Sequence, residues 1–250
     1  MPVISWKHRY LFLMAPGTGS TAVGQGALIS QLDGEFFPPE DVLDENGYLI
    51  VSHKHAPLGQ LLSYGLLTRE QAATMFTFSS VRNPFDALVS QYLRLRTKWK
   101  EQLKDPSSFV HRQKLMYGRI RLATELSFPD WVEEKLLMRG LKQRIRHGFR
   151  RYRSPRHMFA RYVKGSDYIM RFECLQDDFN EALRRIGIAK SIEIPRLNVS
   201  EGRDSDYRTY YTSRARAIVE DVYAPDLLRF GYRFNQPQQP VALIEERKAR

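Results

Sequence analysis

The run Arg9–Ala15 (Arg-Tyr-Leu-Phe-Leu-Met-Ala) is apolar after its first residue and stops at Pro16-Gly17. It has strand length and no polar alternation, the pattern of a strand covered on both faces. Thr18-Gly19-Ser20-Thr21 follows. Ala22–Leu32 then reads as a helix despite Gly24 and Gly26. A buried strand, a small-residue turn and a helix in that order commit the chain to an α/β fold built on an internal sheet.

The rest of the chain agrees. Tyr48–Ser52, Met75–Val81 and Tyr168–Phe172 read as further buried strands. Between them, Pro57–Tyr64 and a segment opening at Thr68, with Gln71 three residues on, read as helices. Asn83 is positioned to cap a helix with Pro84 at its first position and reach as far as Leu103. Helices are expected at Phe109–Leu126, Pro129–Gly140, Asp177–Ile186 (closed by Gly187) and Thr212–Phe230. Strands alternating with helices predict a three-layer α/β/α arrangement around a central parallel sheet. One domain over 1–235 is expected, with 98–164 as a helical, basic insertion and 236–250 as a mobile tail.

At a helix N-terminus the first backbone N–H groups have no intrahelical partner, and the helix dipole adds partial positive charge. Pro16, Gly17, Thr18, Gly19, Ser20, Thr21 and Ala22 therefore form a candidate phosphate cradle, with Thr18, Ser20 and Thr21 as side-chain donors. The alternative is a glycine-rich turn that only connects strand to helix. No G-x-x-x-x-G-K-[ST] motif is present, so the loop is not a Walker loop and a P-loop kinase is the weaker reading. A second element, Phe76–Tyr92, puts Arg82 at a strand end and Ser90 two helical turns into the next helix, a guanidinium and a hydroxyl suited to a second phosphate.

Composition excludes several classes. With 42% hydrophobic residues in 250, the chain is not globally disordered. No apolar run reaches the ~18 residues of a transmembrane helix. The first residues lack the order of a signal peptide, and the lone Cys174 excludes an internal disulfide. No Cys/His spacing suggests zinc. A cytoplasmic, metal-independent protein is the expectation, with a membrane-associated variant of it set by the charge. The formal charge is +11, and eleven basic residues with no acid lie between Lys135 and Lys164. That segment has four readings: a groove for an anionic acceptor through Arg146, Arg150, Arg151 and Arg153, a peripheral membrane contact, a nucleic-acid surface, or a solvated helical face. Nucleic acid is the least favoured.

Arg9–Val23 and Phe76–Tyr92 together resemble the two signature regions of the sulfotransferases that use 3′-phosphoadenosine 5′-phosphosulfate (PAPS). The resemblance continues at Arg171-Phe-Glu173-Cys-Leu175-Gln-Asp-Asp178-Phe179, at Pro195-Arg-Leu-Asn198 with Tyr210-Tyr211, and through Tyr223-Ala-Pro-Asp226-Leu-Leu-Arg-Phe230-Gly-Tyr232-Arg-Phe234. Lys98–Lys164 has no counterpart. The pattern is closer to the carbohydrate type than to the phenol and steroid type. The resemblance implies a P-loop-NTPase-like fold and PAPS as sulfate donor, with the first loop on the 5′-phosphosulfate and Arg82 with Ser90 on the 3′-phosphate. It also implies another cofactor loop near Arg203 and Arg208. One departure stands out. The family's loop carries a lysine after the proline, which stabilises charge on the bridging oxygen, and here that position is Gly17.

His53-Lys54-His55 follows the second expected strand, at the sheet edge where ligands of α/β proteins bind. The resemblance places the acceptor's general base in this region. His55 is the first choice and His53 the second, with Lys54 as the cation replacing the loop lysine. The plain alternative is a solvated strand end. The expected activity is transfer of the sulfuryl group of PAPS to a carbohydrate or glycolipid hydroxyl by in-line attack. The competing expectation is a non-catalytic nucleotide- or glycan-binding protein on the same fold.

Overall fold

The computed structural model describes residues 2–45, 49–112, 116–137, 157–197 and 204–235. Its chain divides into two compact units. The first holds the described residues up to Arg82 and from Phe159 to Leu197, and the second those from Asn83 to Met158 and from Asp204 to Asn235.

The first unit is a five-stranded sheet in the order β3 (Glu35–Phe36), β1 (Val3–Ser5), β2 (Tyr10–Leu13), β6 (Phe76–Val81), β7 (Tyr168–Arg171). β2, β6 and β7 run parallel, whereas β1 is antiparallel to β2 and to β3. The sheet is thus mixed rather than parallel throughout. The cause is local: only Trp6–Arg9 separates β1 from β2, and so short a link makes a hairpin, never a parallel crossover. The expectation for Tyr48–Ser52 also needs correction. β5 (Leu49–Val51) pairs antiparallel with β4 (Val42–Leu43) in a separate two-stranded sheet and does not join the central one.

β2 is covered on both faces, as its unbroken apolar run requires. Tyr10, Phe12 and Met14 face a cluster with Val23, Ala27, Phe179 and Leu183. Leu11 and Leu13 face the opposite cluster with Leu58, Leu61, Leu67 and Ala72. Helices therefore lie against both faces: Ala22–Ile29 and Leu175–Ile186 on one, α1 (Leu58–Ser63) and α2 (Arg69–Ala73) on the other. Thr68 and Gln71 form the expected reciprocal capping box of α2. The Ala22–Ile29 segment is wound as a π-helix, a form enriched at functional sites. Gly26 lets it pack against Pro195: a β-carbon there would stand 2.3 Å from that ring.

The second unit is helical. Numbering continues with α3 (Pro84–Arg96), α4 (Lys98–Gln102), α5 (Phe109–Arg112), α6 (Met116–Glu125) and α7 (Phe128–Leu136). α8 (Ala160–Val163) and α9 (Leu175–Ile186) belong to the first unit, and α10 (Ser213–Val222) and α11 (Ala224–Phe230) to the second. Its core joins Phe85, Leu88 and Tyr92 of α3 to Trp131 and Val132 of α7 and Ile218 and Val219 of α10. Asn83 caps α3 through the Phe85 N–H at 3.1 Å. The single helices expected at Asn83–Leu103 and Thr212–Phe230 are each two, broken at Thr97 and at Tyr223. The second break precedes Ala224-Pro225, where proline cannot continue a helix from the preceding turn. The buried Asp226 accepts from the Met158 N–H and pairs with His157 Nδ1 at 2.9 Å. No helix among the described residues is long and apolar enough to cross a membrane.

Gly19, at the foot of the π-helix, has φ +73°. A left-handed conformation costs a residue with a β-carbon about 1–2 kcal/mol. Gly19→Ala should lower stability in urea unfolding by about that amount. An unchanged midpoint would contradict the loop conformation.

Candidate functional site

The parallel strands β2 and β6 end side by side, with Leu13 opposite Ser79. From the β2 end, Pro16–Gly19 turns into the helix that opens at Ser20. Gly17 and Gly19 take positive φ, +80° and +73°, conformations that L side chains rarely adopt. The turn is closed from inside. The Ala15 carbonyl accepts from the Thr18 hydroxyl at 2.9 Å and from the Ser20 hydroxyl at 2.8 Å. Thr18 Oγ1 also lies 2.6 Å from Ser80 Oγ on β6. Since the Thr18 proton goes to Ala15, Ser80 is the donor of that pair. Thr18 and Ser20 are buried. Their hydroxyls shape the loop, which leaves backbone N–H groups at the helix start as its donors for an anion. Thr21 is half-buried, Ala22 buried and Pro16 exposed.

Arg82 directly follows β6 and is only 3% exposed. Its Nη1 donates to the Gly17 carbonyl at 3.0 Å, and its guanidinium carbon stacks 3.9 Å from the centre of the Phe172 ring. The buried cation thus rests on the backbone of the residue that stands where the resembled family has its lysine. Ser90 belongs to the second unit, buried on α3, where its hydroxyl accepts from Arg94 Nη2 at 3.4 Å.

His55 reaches the loop by a route different from the expected one. β5 is outside the central sheet, so His53-Lys54-His55 is not at that sheet's carboxyl edge by strand order. Yet His55 Nδ1 lies 3.0 Å from the Met14 carbonyl, at the end of β2 and two residues before the loop. A carbonyl only accepts, so Nδ1 carries the proton and Nε2 keeps its lone pair. Burial lowers the His55 pKa to about 4, against the Met14 bond, which raises it, and with Lys54 and Arg161 lowering it further. At neutral pH the ring is therefore an uncharged base with one nitrogen fixed and the other available. His53 is engaged elsewhere: its Nδ1 lies 2.6 Å from Asp41 Oδ1, which also accepts its backbone N–H at 2.8 Å. Lys54 is exposed between the two.

The remaining candidates separate clearly. Arg208 sits on a short turn of the second unit with its Nε 2.7 Å from Asp206, and that carboxylate partner raises its pKa. Arg203, Arg146, Arg150, Arg151 and Arg153 lie outside the described residues, as does the tail from residue 236. Three contributors were not singled out from sequence: Ser80, Phe172 and the Met14 carbonyl. Ser79-Ser80 carried a signal, because two hydroxyls inside a strand buried on both faces need internal partners. Ser79 finds the Leu13 carbonyl at 2.7 Å.

The low His55 pKa sets a stability window. The unfolded chain takes up this proton near pH 6.5, the folded one only near 4. The contribution is full above 6.5 and is lost as pH falls toward 4. His55→Asn keeps a donor for Met14 and removes the titration, so its melting temperature should fall less than wild type's between those pH values. Parallel pH profiles would refute the buried neutral ring.

A profile of the sulfotransferase family matches residues 44–233. The match includes His53–His55, Arg82, Ser90 and Arg208, and leaves out residues 16–22. Human carbohydrate sulfotransferase 9 is 26% identical over 190 residues, 67% of this chain and 39% of that protein. The chain thus spans about two fifths of the length of that relative. No solved structure matches. With three quarters of its length matched by the family profile, the chain belongs to the sulfotransferase family.

Proposed function

We propose that this protein moves the sulfuryl group of PAPS to a hydroxyl of a carbohydrate or glycolipid. The observation that carries the reading is the convergence at the end of β2: an anion-suited helix start, a buried guanidinium and a neutral histidine with one nitrogen available all meet there. The match to human carbohydrate sulfotransferase 9 supports a carbohydrate acceptor. The strand-loop-helix unit takes the phosphate-cradling part of a P-loop-like fold.

The donor supplies an electrophilic sulfur and a phosphate leaving group. The chain's residues do the rest. Backbone N–H groups of Gly17–Thr21 hold the anionic oxygens at the helix start. Arg82 keeps the loop in shape through Gly17 and presents fixed positive charge to the donor's phosphates. His55 Nε2 takes the proton of the attacking hydroxyl. A base with a pKa near 4 is weak at rest, so proton transfer is late, as the hydroxyl becomes acidic on bonding to sulfur. Lys54 provides the cation for the leaving oxygen in place of the loop lysine. Such transfer relies on positioning and charge stabilisation more than on covalent catalysis.

Gly17 favours one second reading, a binding protein that has lost transfer. Labelled sulfate transfer from PAPS to a glycan panel separates the two. We expect transfer, and a fall of at least about tenfold in kcat for His55→Asn, since general-base help is typically worth ~10²–10⁴-fold. Lys54→Met should lower kcat more than it weakens 3′,5′-ADP. Binding of 3′,5′-ADP with no transfer to any glycan would establish the second reading. Near-wild-type kcat in His55→Asn would remove His55 from the mechanism.

A further inference from the structure

The π-helix Ala22–Ile29 is gripped from two sides within the first unit. Gly24 lies against the sheet, where a β-carbon would stand 2.8 Å from Met14 Sδ and 3.2 Å from Val3. Gly26 lies against the segment 192–197, where a β-carbon would stand 2.3 Å from the Pro195 ring and 3.3 Å from Leu197. Neither glycine has room for a methyl group unless the helix or its neighbour shifts.

The segment 192–197 has no helix or strand of its own, and side chains hold it. Gln176 on α9 is a two-ended clamp. Its Nε2 donates to the Ile192 carbonyl at 2.9 Å, and its Oε1 accepts from the Ile194 N–H at 2.8 Å. Nε2 also donates to Asn180 Oδ1 at 3.2 Å, one turn along α9, which orients the amide. Gln31 bridges from the other side, donating from Nε2 to the Gly26 carbonyl at 3.0 Å and to the Glu193 carbonyl at 3.1 Å. Ile192 is buried in the cluster that holds Val23 and Ala27 of the π-helix. An i→i+5 helix is rare, and glycine is a poor helix former, so packing and not propensity holds this one. Its first turn is the helix start that ends the glycine loop.

We propose that 192–197 is a strap that presses the π-helix onto β2 and so fixes the helix start, and that Gln176 is its positioning residue. The inference rests on the PAPS reading for the ligand held there and adds to it a residue that acts through the helix.

The test joins amide hydrogen exchange of the ligand-free full chain to calorimetric binding of 3′,5′-ADP. Gln176→Met keeps the side-chain length and loses both bonds to the strap. Its amides over residues 19–29 should exchange about tenfold faster, with those of β6 and α2 unchanged. Its affinity for 3′,5′-ADP should fall about tenfold, ~1.4 kcal/mol. Gln31→Met, at an exposed position, should shift both in the same direction by less. Gly26→Ala discriminates by sign. Alanine favours a helix over glycine, so a helix independent of the strap should exchange more slowly, whereas one held by it should exchange faster as Pro195 is pushed away. If Gln176→Met does not fold, Gln31→Met and Gly26→Ala carry the same test. Unchanged exchange over 19–29 in the glutamine variants, or slower exchange in Gly26→Ala, would overturn the strap. Faster exchange with unchanged 3′,5′-ADP affinity would overturn it too, since the segment would then only support the fold. A wild type that binds no 3′,5′-ADP would refute the PAPS reading instead, and the exchange pattern would then decide the strap by itself.

Discussion

The carbonyl of Ala15 accepts two hydroxyl protons, from Thr18 and Ser20, and the turn after β2 depends on that double bond. Without it the chain would have to leave a fully buried strand and reverse direction with a buried acceptor unsatisfied, at a cost of about 1–3 kcal/mol. With it, the positive-φ glycines fall into place and the helix begins at Ser20. Ser80 extends the same network onto β6, the strand that delivers Arg82. One carbonyl one residue further back, that of Met14, sets the tautomer of His55. Loop, guanidinium and base are thus referenced to one strand end. That arrangement gives the site precision while the loop carries no charged side chain of its own.

The central strand, its loop, the capped helix after Asn83 and the position of Arg82 just past β6 were legible because each is encoded locally, whereas His55 reaches the loop through a contact with Met14, distant in sequence. An unbroken apolar run can only be buried, and Asn-Pro after a strand can hardly do other than open a helix. What was not legible depends on partners distant in sequence. The apolar run at Leu49–Val51 looks the same whether it joins the main sheet or a hairpin, and the short link from Val42–Leu43 decides for the hairpin. Val3–Ser5 is too short a strand to announce itself and makes the sheet mixed. Thr18 and Ser20 read as ligand donors from composition, but their burial turns both hydroxyls inward. Helical breaks at Thr97 and Tyr223 follow from packing and from Pro225, a signal present in the sequence and outweighed there by apolar periodicity.

The net charge of +11 bears less on this site than its size suggests. The loop after β2 is held by one buried arginine and by hydroxyls turned inward. Most of the basic run between Lys135 and Lys164 lies outside the described residues. Of its described members, Lys135 bonds Gln91 and lies 4.5 Å over Trp131, a packing role within the helical unit. Arg161 instead stands over Tyr162 in the first unit. The basic run therefore contributes by position and not as a uniform field, and residues from one such run serve different ends.

The central claim is that base and donor loop share one strand end, so each must sense the other's charge. The direct measurement is the titration of His55 followed by nitrogen NMR, with and without 3′,5′-ADP. The free protein should show a neutral ring protonated on Nδ1 that titrates near pH 4. Bound anionic phosphates should raise that value, because a nearby negative charge favours imidazolium. Identical titration curves at saturating 3′,5′-ADP would contradict the account.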